Sequence, residues 1–275
     1  VTLRPEMTPT VSRMVAARRQ ELGYPLRLFS IPNCFRYERM QRGRNREFYQ
    51  LNVDLFGVEG IQAELEIAQV MDSVLKSFGA TEGMYEIQVN SRKLLQSTIE
   101  SALPNGEVNA VLRVIDAMDK MSSDEFFSKL SEVVEDPDSL ISSLKAEEPS
   151  GDLKLLIDQA SELGIKLKFQ PDVARGFDYY TDIVFEVFDK NPENNRSMFG
   201  GGRYDGLVAE FGVDSVPTIG FGMGDATLLN FLESNNLLPD LKLKTDLMLL
   251  PLDQESLDQV NKFATQLRAE GKNVA

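Results

Sequence analysis

Apolar and polar positions alternate along the chain with two distinct periods. Residues 8–22 set Val11, Met14, Val15 and Leu22 on or near one face, which predicts a helix. A hairpin follows. Phe35 and Tyr37 alternate with Arg36 and Glu38, Arg42-Gly43-Arg44-Asn45 turns the chain, and a return strand covers 46–56. On that strand Tyr49, Leu51, Val53 and Leu55 point one way; Phe48, Gln50, Asn52 and Asp54 point the other. One face of the ribbon suits a core. The other gathers Arg36, Glu38, Phe48, Gln50, Asn52 and Asp54, and is either a solvated sheet face or the floor of a ligand site.

Beyond the hairpin, residues 61–78 predict a helix and 85–90 a strand. From 91 to 165 the period is helical, with helices at 107–120 and 124–134. Residues 135–152, acidic and carrying Pro137 and Pro149, read as a mobile connection. Strand signals return at 167–169, 181–188 and 220–222, followed by a linker at 239–245. A short buried strand at 247–252 and a helix at 254–270 complete the series. A strand and helix at the C-terminal end with no partner strand cannot enclose a core. The chain therefore reads as an excerpt of a longer protein, truncated at both ends.

Composition narrows the chemistry. The 275 residues hold no histidine and one cysteine, Cys34. Ser–His and Cys–His catalysis, an intrachain disulfide and a thiolate metal cage are thereby excluded. Cys34 reads as a packing residue, and a reducing, cytoplasmic setting is expected. No apolar run is long enough for a membrane span. The net charge of −14 argues against a general nucleic-acid binder. Yet Arg36, Arg39, Arg42, Arg44 and Arg46 cluster on an otherwise acidic chain, a pattern suited to one selected anion.

The Gly-rich phosphate loops G-x-x-x-x-G-K-[ST] and G-x-G-x-x-G, the latter between a strand and a helix, are missing. Any nucleotide would rely on side-chain cations, for which the planar guanidinium fork is suited. Five segments stand out: Leu3-Arg4-Pro5-Glu6-Met7-Thr8, Phe35-Arg36-Tyr37-Glu38-Arg39, Ala174-Arg175-Gly176-Phe177-Asp178-Tyr179-Tyr180, Gly200-Gly201-Gly202-Arg203-Tyr204-Asp205-Gly206-Leu207, and Pro217-Thr218-Ile219-Gly220-Phe221-Gly222-Met223-Gly224. Singly each has a plain explanation: Thr8 as a helix cap, 200–202 as a tight turn, Tyr179 and Tyr180 as core and rim aromatics.

Together and in this order they resemble the catalytic core of the class II histidyl-tRNA synthetases, over nearly the whole chain. The resemblance implies an α+β fold: an antiparallel sheet flanked by helices, a helical insertion, and the start of an α/β C-terminal domain. It places the catalytic core at 1–90 and 166–238, the insertion at 91–165, and the beginning of an anticodon-binding domain at 246–275. It also implies a homodimer, with L-histidine, ATP and tRNA(His) as substrates and Mg²⁺ as companion of the ATP.

Carried over residue by residue, Glu6 and Thr8 would hold the substrate α-amino group. Arg36 and Arg175 would be catalytic, offsetting charge at the reacting phosphate. Phe48 would stack on adenine, with Glu38 beside the nucleotide. Gln50, Asp54, Tyr179, Tyr180 and Tyr204 would surround the amino acid, Asp54 standing where the family usually has Glu. Arg39, Arg42 and Arg44 would meet the tRNA acceptor end. The chain departs from the family at Thr227, where an Arg that holds ATP is usual. Losing one cation from a polyphosphate site costs on the order of 1.5–3 kcal/mol; either another cation substitutes, with Arg203 the candidate, or ATP handling is altered. The rival reading is the synthetase-like regulatory subunit of ATP phosphoribosyltransferase, which shares the fold and binds histidine without forming adenylate.

Overall fold

A computed structural model describes residues 2–37, 39, 41–103, 107–118, 121–171, 179–194, 197–240 and 244–275. The chain divides into two units, Val1–Leu237 and Leu238–Ala275.

The first unit is built on a mixed sheet. Its strands are β1 (Leu26–Ser30), β2 (Asn33–Phe35), β3 (Glu47–Phe56), β4 (Tyr85–Ser91), β5 (Leu167–Phe169), β6 (Ile183–Asp189), β7 (Ser197–Arg203) and β8 (Thr218–Gly224). The order is β1-β3-β8-β7-β6-β4-β5, with β2 also pairing β3. Every pairing is antiparallel except that of β4 with β5. The fold is thus α+β with a mostly antiparallel sheet.

One sheet face carries the main core. Leu55, Ile87, Val89, Phe185, Val187, Ile219, Phe221 and Met223 pack there under α2 (Ile61–Ser77) and α7 (Gly151–Glu162). The predicted parity of β3 holds on this side, where Leu51 and Val53 join the cluster. Val184, one residue out of phase with Phe185, faces a separate cluster built by α3 (Arg92–Ala102), α4 (Val108–Asp116), α5 (Ser123–Ser131) and α6 (Pro137–Lys145). The helical stretch therefore serves two cores: α3 to α6 make their own, and α7 covers the sheet. A third cluster lies at the start of the chain, where α1 (Thr8–Ala17) lays Val11, Val15 and Ala16 against Phe56, Val208 and Val216.

Several sequence expectations are corrected here. The mobile connection at 135–152 contains α6: the Asp136 carboxylate accepts from the Ser139 N–H at 3.0 Å. Pro137 then sits in the first turn, where its missing N–H has no helical partner to lose. Such a cap is worth ~1 kcal/mol, and Leu140 anchors the helix at 1% exposure. Residues 200–202 are no tight turn but the interior of β7. The first helix stops at Ala17, because Arg18, Arg19, Gln20 and Glu21 supply no further apolar stripe. Strand β1 carried no expectation.

In the second unit α8 has already ended; it runs Asp225–Ser234 in the first. The unit holds α9 (Leu257–Ala269), close to the expected helix at 254–270. The buried strand expected at 247–252 is not formed. Leu247 makes an isolated parallel bridge to Val274, and Leu250 and Leu252 are 71% and 94% exposed. No described helix is long and apolar enough to cross a membrane.

Candidate active site

The face of β3 opposite the main core holds the site. In register, Gln50 stands opposite Gly224, Asn52 opposite Gly222 and Asp54 opposite Gly220 of β8. Each polar side chain thus faces a strand neighbour with none of its own. The spacing is sterically required: a Cβ on Gly220 would lie 2.6 Å from the Tyr204 hydroxyl and 2.9 Å from Asp54 Oδ1, and one on Gly222 would lie 2.7 Å from Gln50 Nε2. The mixed face is not a solvated one. Asn52 and Asp54 are each 3% exposed.

At the outer end of this face is a cleft of about 180 Å³ lined by Arg36, Arg44, Phe48, Gln50, Phe199 and Thr227, among others. The Arg36 guanidinium donates through Nε to the Pro5 carbonyl at 2.8 Å and lies 5.1 Å from the centroid of the Phe48 ring. Its backbone N–H donates to the Arg46 carbonyl at 2.9 Å, tying the two hairpin arms together. Gln41 and Arg44 close the turn, and Gly43, at φ +75°, sits where a Cβ would meet Asn230 Nδ2 of α8 at 2.8 Å. The turn therefore leans on α8 and brings Arg44 to the cleft wall. Helix α8 begins at the same wall, with Ala226 and Thr227 lining it and no side-chain cap at Gly224. A helix N-terminus, through its first-turn N–H groups and dipole, favours an anion.

The inner end is closed. The Tyr204 phenol, 2% exposed, donates to the Asp54 carboxylate. Burial pushes Asp54 up to about 6, with the tyrosine bond pulling the other way. Burial, reinforced by the Asp54 charge, holds the Tyr204 phenol far above its ordinary range. Tyr179 stands edge-on to Tyr204 at 5.7 Å and tilted to Tyr180 at 4.8 Å. Its own phenol is raised by burial first, then by Tyr180 and the Glu6 carboxylate, while a hydrogen bond with Thr8 opposes them. The start of α1 is thereby linked through Tyr179 and Tyr204 to Asp54 on β3. Between the two ends, the Cys34 S–H points to Gln50 Oε1 at 3.9 Å; the thiol is fully buried and raised by that burial. That suits packing, not attack.

The profile described as Histidyl-tRNA synthetase matches residues 1–228. The chain belongs to the histidyl-tRNA synthetase family. It is similar to a histidine–tRNA ligase of Leptospira biflexa, 39% identical over 98% of this chain and 66% of the relative. It is also similar to a chloroplastic/mitochondrial histidine–tRNA ligase of Arabidopsis thaliana, 36% identical over 100% of the chain and 60% of the relative. The chain thus spans under two thirds of the length of these relatives. A solved histidyl-tRNA synthetase from Nostoc sp. PCC 7120 shares the fold at TM-score 0.72 and 19% identity, covering 99% of this chain and 69% of that one.

Within this histidyl-tRNA synthetase frame, the structure brings Arg36, Phe48 and Gln50 to the cleft and Thr8, Glu6, Tyr179, Tyr180, Tyr204 and Asp54 to the inner cluster. Arg175 and Glu38 lie outside the described residues. Arg203 is a correction to the expected ATP ligand. It does not line the cleft; it leaves β7 on the core side, 5% exposed, where Nη2 donates to Glu64 Oε2 at 2.8 Å and to the Gly60 carbonyl at 3.1 Å. Asp205 and the Val58 carbonyl take Nη1. A fork so committed has no face for a phosphate. Thr227 supplies no cation either, its hydroxyl lying 2.6 Å from the Met198 carbonyl. Among the described lining residues, Arg36 and Arg44 are the two cations.

Of the arginines expected at tRNA, Arg39 and Arg42 are exposed, and Arg44 is shared with the cleft. Arg46 lies 4.8 Å from the Tyr37 ring centroid. Asn45, Met198, Phe199 and Ala226 line the cleft without having been expected. Among the described residues no group of three or more acidic or cysteine side chains could hold a metal ion.

Proposed function

We infer that the protein containing this chain is an aminoacyl-tRNA synthetase, a histidine–tRNA ligase. It activates L-histidine with ATP to histidyl-adenylate and transfers the histidyl group to the 3′ end of tRNA(His). The observation that carries the reading is one continuous face of β3, running from the arginine-lined cleft at Phe48 to the Asp54–Tyr204 pair. It can hold a polyanion and a polar aromatic amino acid side by side, with the reacting groups meeting near Gln50.

The chemistry follows from charge. A histidine carboxylate oxygen forms a bond to the α-phosphorus as the bond to pyrophosphate breaks. Two anions approach and charge builds on the phosphate oxygens, so fixed cations lower the barrier without reorganising. Arg36 takes this role, Arg175 is proposed as its partner, and Arg44 takes the outer phosphates that Thr227 cannot hold. Phe48 offers its ring to adenine. Glu6 and Thr8 receive the α-ammonium, and Tyr180, Tyr204 and Asp54 the imidazole. In the second step the terminal tRNA hydroxyl attacks the acyl carbon, AMP leaves with the anhydride electrons, and its phosphate takes the hydroxyl proton. Arg39 and Arg42, exposed beside the cleft, are placed for acceptor-stem phosphates, which confer affinity more than sequence choice.

In this reading 1–90 and 166–238 form the catalytic core of a class II enzyme, 91–165 the insertion, and 246–275 the start of an anticodon-binding domain. The protein acts as a cytoplasmic homodimer; the single buried thiol suits a reducing compartment, and the exposed Leu3, Phe29 and Ile31 suit a covered surface. The regulatory-subunit reading is less favoured, since the relatives at 39% and 36% identity are named ligases. A pure histidine sensor also has no use for two arginines at a nucleotide cleft. The test is histidine-dependent exchange of pyrophosphate into ATP by the full-length protein. Exchange is expected; histidine binding with no exchange at saturating ATP and Mg²⁺ would return the reading to the regulatory subunit.

A further inference from the structure

One polar group on the floor of the site is left unexplained by these roles. Asn52 sits between Gln50 and Asp54 on the same face of β3 and is 3% exposed. Its Oδ1 is buried and has no hydrogen-bond partner among the described residues. The same is true of Ser30 Oγ, which stands directly across from it in register on β1. On its other side is Gly222, where even a Cβ would lie only 3.4 Å from Asn52 Nδ2. Gly222 thus puts no side chain over the amide on the face that carries the substrate groups. A buried acceptor left unmade costs about 1–3 kcal/mol, so an acceptor kept on the substrate face calls for a partner.

We propose that Asn52 is a specificity-determining residue whose Oδ1 accepts a hydrogen bond from a ring N–H of the bound amino acid. The inference rests on the histidine-activating reading and deepens it. The neighbouring groups fit a donor-bearing ring. Asp54 is an acceptor already supported by Tyr204, and Gln50 Oε1 faces the Cys34 thiol. With Asn52 the floor offers a run of acceptors, and an aromatic side chain without N–H would leave Oδ1 unpaired. A site built this way rejects apolar rings more strongly than a hydrophobic pocket rejects a ring of the wrong size.

The test uses the full-length protein and calorimetric titration with two probes, histidine and 2-thiazolylalanine, whose ring has a nitrogen but no N–H. The parent is expected to favour histidine. Asn52→Leu, close in volume but without an acceptor, should weaken histidine binding about tenfold or more and lose most of the preference over the thiazole, the scale of one unmade buried hydrogen bond. Asn52→Asp, which keeps an acceptor, should retain both histidine binding and the preference to within about threefold, well inside that same scale. ATP affinity should be unchanged in both variants.

Histidine binding by Asn52→Leu within about twofold of the parent, with the preference intact, would overturn the proposal, because a lost hydrogen bond exceeds that change. Should Asn52→Leu fail to fold, Asn52→Asp decides alone: loss of the preference there refutes the acceptor role. Failure of the broader reading is separate and is registered by absence of histidine-dependent exchange in the parent.

Discussion

The two ends of β3 differ in almost every physical respect. The outer end, Glu47 to Gln50, is partly or fully exposed, borders an open cleft, and shares it with guanidinium groups. The inner end, Asn52 to Asp54, is buried and carries an acceptor without a partner and a carboxylate bonded to a buried phenol. An open cationic end takes up a polyanion without first being stripped of water. A closed acceptor end discriminates by what a ligand fails to satisfy. The same contrast separates two arginines. Arg36 spends one bond on a carbonyl and faces the cleft; Arg203 spends its whole fork on Glu64, Asp205 and two carbonyls inside the core. One arrangement leaves the guanidinium at the cleft and the other holds the fold.

The sharpest way to break this contrast is to remove Glu64. Glu64→Ala strips a buried guanidinium of its two-point partner and leaves it Asp205 as sole counter-charge among the described residues; it should destabilise the unit by about 3–5 kcal/mol, read as a lowered denaturation midpoint. A loss under 1 kcal/mol, about the value of an exposed pair, would mean that Arg203 is not committed to the core. Next in size is Arg36→Ala. It should slow adenylate formation by about 10²–10³-fold, equivalent to ~3–4 kcal/mol of barrier, with unfolding stability changed by less than about 0.5 kcal/mol. Equal losses of rate and stability would make Arg36 a structural group like Arg203.

The third prediction concerns the inner end. Asp54 is raised from 3.8 to about 6 in the folded chain. Its contribution to stability is therefore full below the ordinary value and is lost as pH rises through about 6. Asp54→Asn does not titrate, so in the absence of ligand its stability relative to the parent should improve by about 2 kcal/mol between pH 4 and 6.5. Paired denaturation curves across that range check it, and parallel pH profiles would mean that Asp54 is not desolvated.

Much of this was legible in the pattern of residues because the side-chain period of a strand is two. That period separated Leu51, Val53 and Leu55 from Gln50, Asn52 and Asp54 before any coordinates, and the structure puts the first set on the core. The same rule applied one strand further would have corrected Arg203: adjacent residues point to opposite faces, so an arginine beside Tyr204 leaves on the far side. What could not be read was Glu64, remote in sequence, which takes that guanidinium. The helix at Pro137 was missed because proline was read as a breaker, although Asp136 before it is a cap. Glycines 200–202 carry turn-like composition but line a strand, as do Gly220, Gly222 and Gly224, because their missing side chains are what β3 and its neighbours require.

The most direct test of the central claim is a structure of the full-length protein with histidine and a non-hydrolysable ATP analogue bound together. The account predicts adenine against Phe48, phosphates between Arg36 and Arg44, and the imidazole at Asp54 and Tyr204, with the carboxylate facing the α-phosphate above Gln50. Phosphates seated away from Arg36, or an imidazole outside the Asp54–Tyr204 end, would contradict it.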